Sequence, residues 1–321
     1  MKKFVIRVVL VLLTYNIAML LLTVGLSLQS TLAHPMKGRT VDAGELQLHV
    51  IESDKPQTKS DFSVVLVHGA STSALDFSTN LQPLLSDNWH VLSIDRPGHG
   101  YSERGNEDIA SSPAYQARMV LNGLHNIGIA NAVLVGHSWA GSVVMAALLE
   151  PHEHVTIKAG VLIAGATHPW DTGNPWHVEI ATTPISGDVF RWQYINPIGR
   201  LMIAPTVQTV FNPEPVPENY IENTGLTLGL RPTVFKYNAA DRTELSAFLN
   251  AQAKRYSDIT QPLLSIAASG DTLVPAWNHH DRLIKQIDHL QHTVIEGAGH
   301  APHHTRPGQV ADLIEVFLGS L

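Results

Sequence analysis

A short apolar run, Ala132-Val133-Leu134-Val135, leads directly into Gly136-His137-Ser138-Trp139-Ala140-Gly141, and this junction restricts the chain more than any other stretch. Where a buried strand turns at once into a helix, neighbouring backbone comes close to the corner, so the flanking residues must be small. Gly136, Ala140 and Gly141 meet that demand, and the corner residue itself takes a strained conformation that lifts the Ser138 hydroxyl above the sheet. The pattern is that of a nucleophile elbow, G-x-S-x-G, with Ala140 in the fifth position. An ordinary serine in a tight strand-to-helix turn would have the same spelling, and the stretch alone leaves both readings open.

The surrounding pattern supplies a sheet for such a corner. Leu46 to Ile51 alternates like a half-buried strand, whereas Phe62 to Val67 and Val91 to Ile94 are continuous apolar runs of the kind buried on both faces. Further strands are expected at Gly160 to Ala164, Leu263 to Ala267 and Thr293 to Ile295. Between them, Ala117, Val120, Leu121, Leu124 and Ile127 recur at helical spacing up to Gly128, and a last helix after Pro307 carries Val310, Leu313, Ile314, Phe317, Leu318 and Leu321. Strands alternating with helices define an α/β fold with a mostly parallel sheet covered on both faces, whose ligands sit at the carboxyl ends of the strands.

From about 168 to 259 the alternation stops. The segment is rich in prolines and aromatics, and a loop of that length is improbable inside a compact domain, so it reads as an inserted helical lid. Its clearest helix is expected to start near Asp241, where Asp241 and Glu244 have capping-box-like spacing, and to run towards Tyr256. Trp170, Trp176, Phe190, Trp192, Tyr194, Phe211, Phe235 and Tyr237 either line an apolar pocket or hold the lid on the sheet.

Residues 1–36 form a separate leader. Lys2, Lys3 and Arg7 precede an uncharged stretch, and Val8 to Leu28 as a helix would span roughly 30 Å, enough to cross a bilayer. With the cations inside, residues 41–321 lie outside the cytoplasm as an anchored domain. A cleaved signal peptide is the rival: Tyr15-Asn16 interrupts the run, Ile17 to Leu28 is a shorter apolar region, and Thr31-Leu32-Ala33 resembles a cleavage site. The formal charge of -7, with basic residues scattered beyond the leader, offers no footprint for nucleic acid. The absence of cysteine excludes disulfides, thiolate metal sites and a cysteine nucleophile.

A serine hydroxyl needs a base, and the base needs an acid to fix its tautomer. Ser269-Gly270-Asp271 follows one expected strand and Gly297-Ala298-Gly299-His300 follows another, each on a glycine-bearing loop. The order serine, acid, histidine is thereby complete. Asp171 at the lid entrance is the alternative acid, and Asp271 as a turn residue the bland one. His303 and His304 next to His300 raise a metal cluster as a further possibility, though no metal is expected because no carboxylate stands nearby at ligand spacing. His68, His99 and His137 read as turn histidines bonded to backbone, and Asp95-Arg96-Pro97-Gly98 as a turn in which Asp95 and Arg96 pair.

These segments together resemble the α/β-hydrolase family, in particular its lid-bearing serine esterases, haloperoxidase-type esterases and carbon-carbon bond hydrolases. Leu66-Val67-His68-Gly69-Ala70, the stretch Asp95 to Ser102, the Ser138 elbow and the Asp271 and His300 loops carry the resemblance, which covers about residues 41–321. It implies that Ser138 attacks, His300 relays the proton, Asp271 orients His300, and the backbone amides of Ala70 and Trp139 form the oxyanion hole. It implies no cofactor and a small or lipid-like ester as substrate, with the membrane as partner through an uncleaved leader. Epoxide hydrolases of the family polarise the epoxide with lid tyrosines, to which Tyr194 and Tyr237 invite comparison, but they open the ring with an aspartate where this chain has Ser138. Carbon-carbon hydrolysis would require Arg191, Arg200 or Arg231 to face the pocket and hold a carboxylate, and a non-catalytic binding scaffold is the reading from another class.

Overall fold

The computed structural model describes residues 1–53, 60–170 and 173–321. Eight strands form one sheet: β1 (Arg39–Asp42), β2 (Gln47–Glu52), β3 (Ser63–Val67), β4 (Val91–Ile94), β5 (Asn131–His137), β6 (Thr156–Ile163), β7 (Leu263–Ala268) and β8 (Gln291–Ile295). Their spatial order is β1-β2-β4-β3-β5-β6-β7-β8. The β1–β2 and β2–β4 pairings are antiparallel and the other five are parallel. The sheet is that of an α/β hydrolase.

The period-2 geometry of a strand explains why the continuous apolar runs are central. In β3, Val65 and Val67 enter one core and Val64 and Leu66 the other; in β5, Ala132 and Leu134 face the first core and Val133 and Val135 the second. The leader is helix α1 (Lys2–Ala33). Helix α2 (Leu75–Ser78) follows β3, α3 (Pro113–Asn126) precedes β5, and α4 (Gly141–Leu149) leaves the Ser138 corner. Ser112 accepts from the Tyr115 amide to cap α3, and the proline after it suits the first turn. Both α3 and α4 cover the first face; the second is closed by Phe77, Leu81 and Leu85 with the C-terminal helix.

Between β6 and β7 the regular elements among the described residues are all helices. The principal helices there are α5 (Asn196–Phe211) and α6 (Pro232–Gln252), and the C-terminal helix is α7 (Pro307–Leu318). Here the expected start at Asp241 is corrected: α6 begins nine residues earlier at a proline suited to the first turn, and Asp241 lies buried in mid-helix. Its carboxylate is drawn to Arg96 and Arg104 rather than to its own backbone. Strand β1 lacks an apolar run because it is the sheet edge, with only Val41 buried.

Candidate active site

Ser138 sits at the end of β5 with φ at +54°, a left-handed conformation that side chains rarely adopt. The close packing around it explains the small neighbours. A Cβ on Gly136 would lie 2.6 Å from the Ala140 carbonyl oxygen, and one on Gly141 would lie 2.7 Å from the Gly165 Cα. Alanine at position 140 is tolerated because its Cβ points into the core.

His300, on the loop after β8, accepts the Ser138 hydroxyl at Nε2 over 2.8 Å. Its Nδ1 donates to Asp271 Oδ2 over 2.7 Å. Asp271, on the loop after β7, receives the Leu273 and Val274 amides on its other oxygen at 2.8 and 2.9 Å. All three side chains are buried. Burial alone would raise the Asp271 carboxyl, but the facing His300 and the two amides hold it below the ordinary value. The three sequence candidates thus form one hydrogen-bonded line at the carboxyl ends of β5, β7 and β8. Asp171 lies outside the described residues.

The loop after β3 closes over the same corner: a Cβ on Gly69 would stand 3.0 Å from that of Ser138. The next amide, Ala70, donates to no group among the described residues. That of Trp139 heads the helical run from Ser138 to Leu149, where the first N–H groups have no intrahelical acceptor. The Trp139 indole donates to the Asp241 carbonyl at 3.0 Å and lies 4.1 Å beneath the Arg96 guanidinium, so it is committed to packing.

Arg96 was legible only as a turn residue, and its pairing with Asp95 is corrected. Its guanidinium donates to the His68 and Gly69 carbonyls at 3.0 and 3.1 Å and pairs with Asp241 at 2.8 Å. Asp95 instead accepts from His49 at 2.7 Å and from the Ala74 amide at 2.6 Å. His68 bonds to the Gly69 carbonyl, His99 to that of Pro97 and His137 to that of His300. Burial and the Arg96 charge push His68 down to about 3, which keeps it neutral beside that arginine.

His303 and His304 turn away from His300 and meet Asp76 of α2, at 3.3 and 2.8 Å. Asp76 carries no signal in the sequence that links it to these histidines, because it lies more than two hundred residues away. Among the lid aromatics, Phe211 is fully buried against Tyr220 and His304, whereas Trp176 is exposed. The Tyr237 hydroxyl donates to Glu107 at 2.7 Å. The three arginines that carbon-carbon hydrolysis would require at the pocket are engaged elsewhere: Arg191 with Asp188 and the Ala181 carbonyl, Arg200 with α1, and Arg231 with the Gly100 carbonyl.

Residues 64–313 match the model of the alpha/beta hydrolase family. The chain belongs to that family, and it is an α/β-hydrolase enzyme. It is 27% identical to Epoxide hydrolase A of Mycobacterium tuberculosis, over 88% of this chain and 97% of that protein. It is 23% identical to the pimeloyl-[acyl-carrier protein] methyl ester esterase of Xylella fastidiosa, over 81% of this chain and 96% of that one. Among solved structures, a thermophilic esterase from Thermogutta terrifontis is similar in fold with a TM-score of 0.67 at 18% identity, covering 88% of this chain and 98% of its own.

Proposed function

We propose that this hydrolase cleaves carboxylic esters through Ser138, His300 and Asp271. The observation that carries the reading is the line of two short hydrogen bonds from the Ser138 hydroxyl through His300 to Asp271, beneath a loop whose amides approach the same corner. In this mechanism His300 Nε2 takes the proton as Ser138 Oγ attacks the acyl carbon, and Asp271 stabilises the imidazolium. The oxyanion accepts from the Ala70 and Trp139 amides, each such donor lowering the barrier by about 2.7 to 4 kcal/mol. His300 then protonates the leaving alcohol, and water admitted to the same base hydrolyses the acyl-enzyme.

Ser138 at the elbow separates this reading from the aspartate-dependent ring opening of epoxide hydrolases, despite the similarity to one. The engagement of Arg191, Arg200 and Arg231 removes the support for a carbon-carbon hydrolase.

Residues 168–259 act as the lid, and α1 is a retained anchor that holds the catalytic domain outside the cytoplasm. Polar contacts between the outer end of α1 and the lid support retention over cleavage: Asn196 donates to Ser27 at 3.0 Å, and Arg200 to the Leu26 carbonyl at 2.8 Å and to Ser30 at 2.7 Å. Ile185, Ile198, Leu201 and Met202 of the same lid region are exposed, which suits an apolar substrate drawn from a bilayer. The test is hydrolysis of a p-nitrophenyl ester chain-length series by the full chain in detergent. Wild type turns over at least one member, and Ser138→Ala lowers kcat by about a millionfold; comparable turnover in the variant refutes the reading.

A further inference from the structure

Behind the Ser138 corner, Asp76, His137 and His303 bring three donor atoms within 4.8 Å of one another, all from buried side chains. The hydrogen bonds around them determine the tautomers. Asn80 Oδ1 accepts from the Leu81 amide and its Nδ2 donates to the Asp76 carbonyl, so the Asn80 amide orientation is set. That Nδ2 also donates to His304 Nδ1 at 2.9 Å. His304 therefore donates Nε2–H to Asp76 Oδ1 at 2.8 Å. His137 donates Nε2–H to the His300 carbonyl at 3.0 Å, which leaves its Nδ1 bare.

That bare nitrogen has no hydrogen-bond partner and faces Asp76 Oδ2 at 3.7 Å. His303 Nε2 approaches the same oxygen at 3.3 Å. No lysine or arginine pairs with Asp76 among the described residues. A buried carboxylate opposite a lone pair is costly unless a positive charge stands between them.

We propose that Asp76 Oδ2, His137 Nδ1 and His303 Nε2 bind a divalent cation of the zinc class. Zinc bonds of about 2.0 to 2.2 Å in tetrahedral geometry require donors about 3.3 Å apart, and two of the three separations are 3.3 and 3.7 Å. Two imidazoles and one carboxylate favour zinc over calcium or magnesium. The outer contacts are those of metal ligands: His137 donates its second nitrogen to a backbone carbonyl, and the carboxylate accepts from His304. His303 Nδ1 alone lacks such a partner. The cation would join α2, the residue before Ser138 and the segment after His300, and so set the relative position of the loops that carry the site.

The full-length, tag-free chain in detergent is stripped with chelator, and Zn2+ or Co2+ is added back. About one equivalent of zinc per chain is retained through dialysis, and Co2+ gives the intense visible absorption of a four-coordinate site. His303→Gln abolishes both, His304→Gln weakens affinity about 10- to 100-fold, and His154→Gln, in the surface group of His125, His152 and His154, changes neither. Should His303→Gln not fold, wild type is decisive: its melting temperature falls on chelation and returns with Zn2+. The assignment is overturned if wild type gives no four-coordinate Co2+ spectrum and a melting temperature indifferent to Zn2+, or if binding follows His154 instead of His303.

Discussion

Arg96 and Asp241 form a fully buried ion pair, 2.8 Å between Nη1 and Oδ2, that ties the His68-Gly69 loop to the middle of α6. The two residues are 145 positions apart in sequence. Removing one partner of such a pair strands a buried charge, which costs about 3 to 5 kcal/mol. Asp241→Leu is expected to lose that much in chemical denaturation, whereas the double variant Arg96→Met/Asp241→Leu recovers part of it. A single variant as stable as wild type would remove the pair from any role in holding lid to loop.

The crowding at the elbow predicts an effect from one methyl group. Gly141→Ala forces the new Cβ against the Gly165 backbone at 2.7 Å, where nothing flexible can yield. Stability should fall by about 1 to 3 kcal/mol, and ester turnover should fall with it because the shift displaces Ser138. Unchanged melting and kcat would show that the Gly165 segment moves freely.

Stability should decline as the solution is acidified from neutrality. Burial lowers His68 and His279 to about 3, the latter aided by His168. A histidine with a depressed folded value contributes stability that is complete above about 6.5, its unfolded value, and is lost as pH falls towards the folded one. Each contributes a slope of up to about 1.4 kcal/mol per pH unit in that window. His49, raised by Asp95 against the opposing effect of burial, acts in the other direction. Melting curves between pH 7 and 5 should show the decline, with a shallower slope in His279→Gln; identical slopes would refute the attribution.

Asp271→Asn keeps the shape of the site while removing the charge that fixes the His300 tautomer. A fall in kcat of about 10^4 is expected, with little change in KM for an apolar ester. A loss below tenfold would point to a different orienting acid.

The parts of this molecule visible in the sequence are those whose cause is local. Val64 to Val67 and Ala132 to Val135 announce strands because each residue is buried on one face or the other, and Ser138 announces a corner because its neighbours must be small. Asp271 and His300 were visible as chain-order candidates on loops after strands. Asp241 was misread as a cap because its partners, Arg96 and Arg104, are distant in sequence, and a capping box is judged on spacing alone. The grouping of Asp76 with His137 and His303 is invisible for the same reason: only folding brings them together. Edge strand β1 carries too few apolar residues to register.

The most direct test of the central claim is labelling of the full chain with a fluorophosphonate, followed by mapping of the modified residue by mass spectrometry. The account predicts stoichiometric modification of Ser138, none in Ser138→Ala, and much slower modification in His300→Gln. Failure to label Ser138 in protein that hydrolyses esters, or equal labelling rates with and without His300, would contradict it.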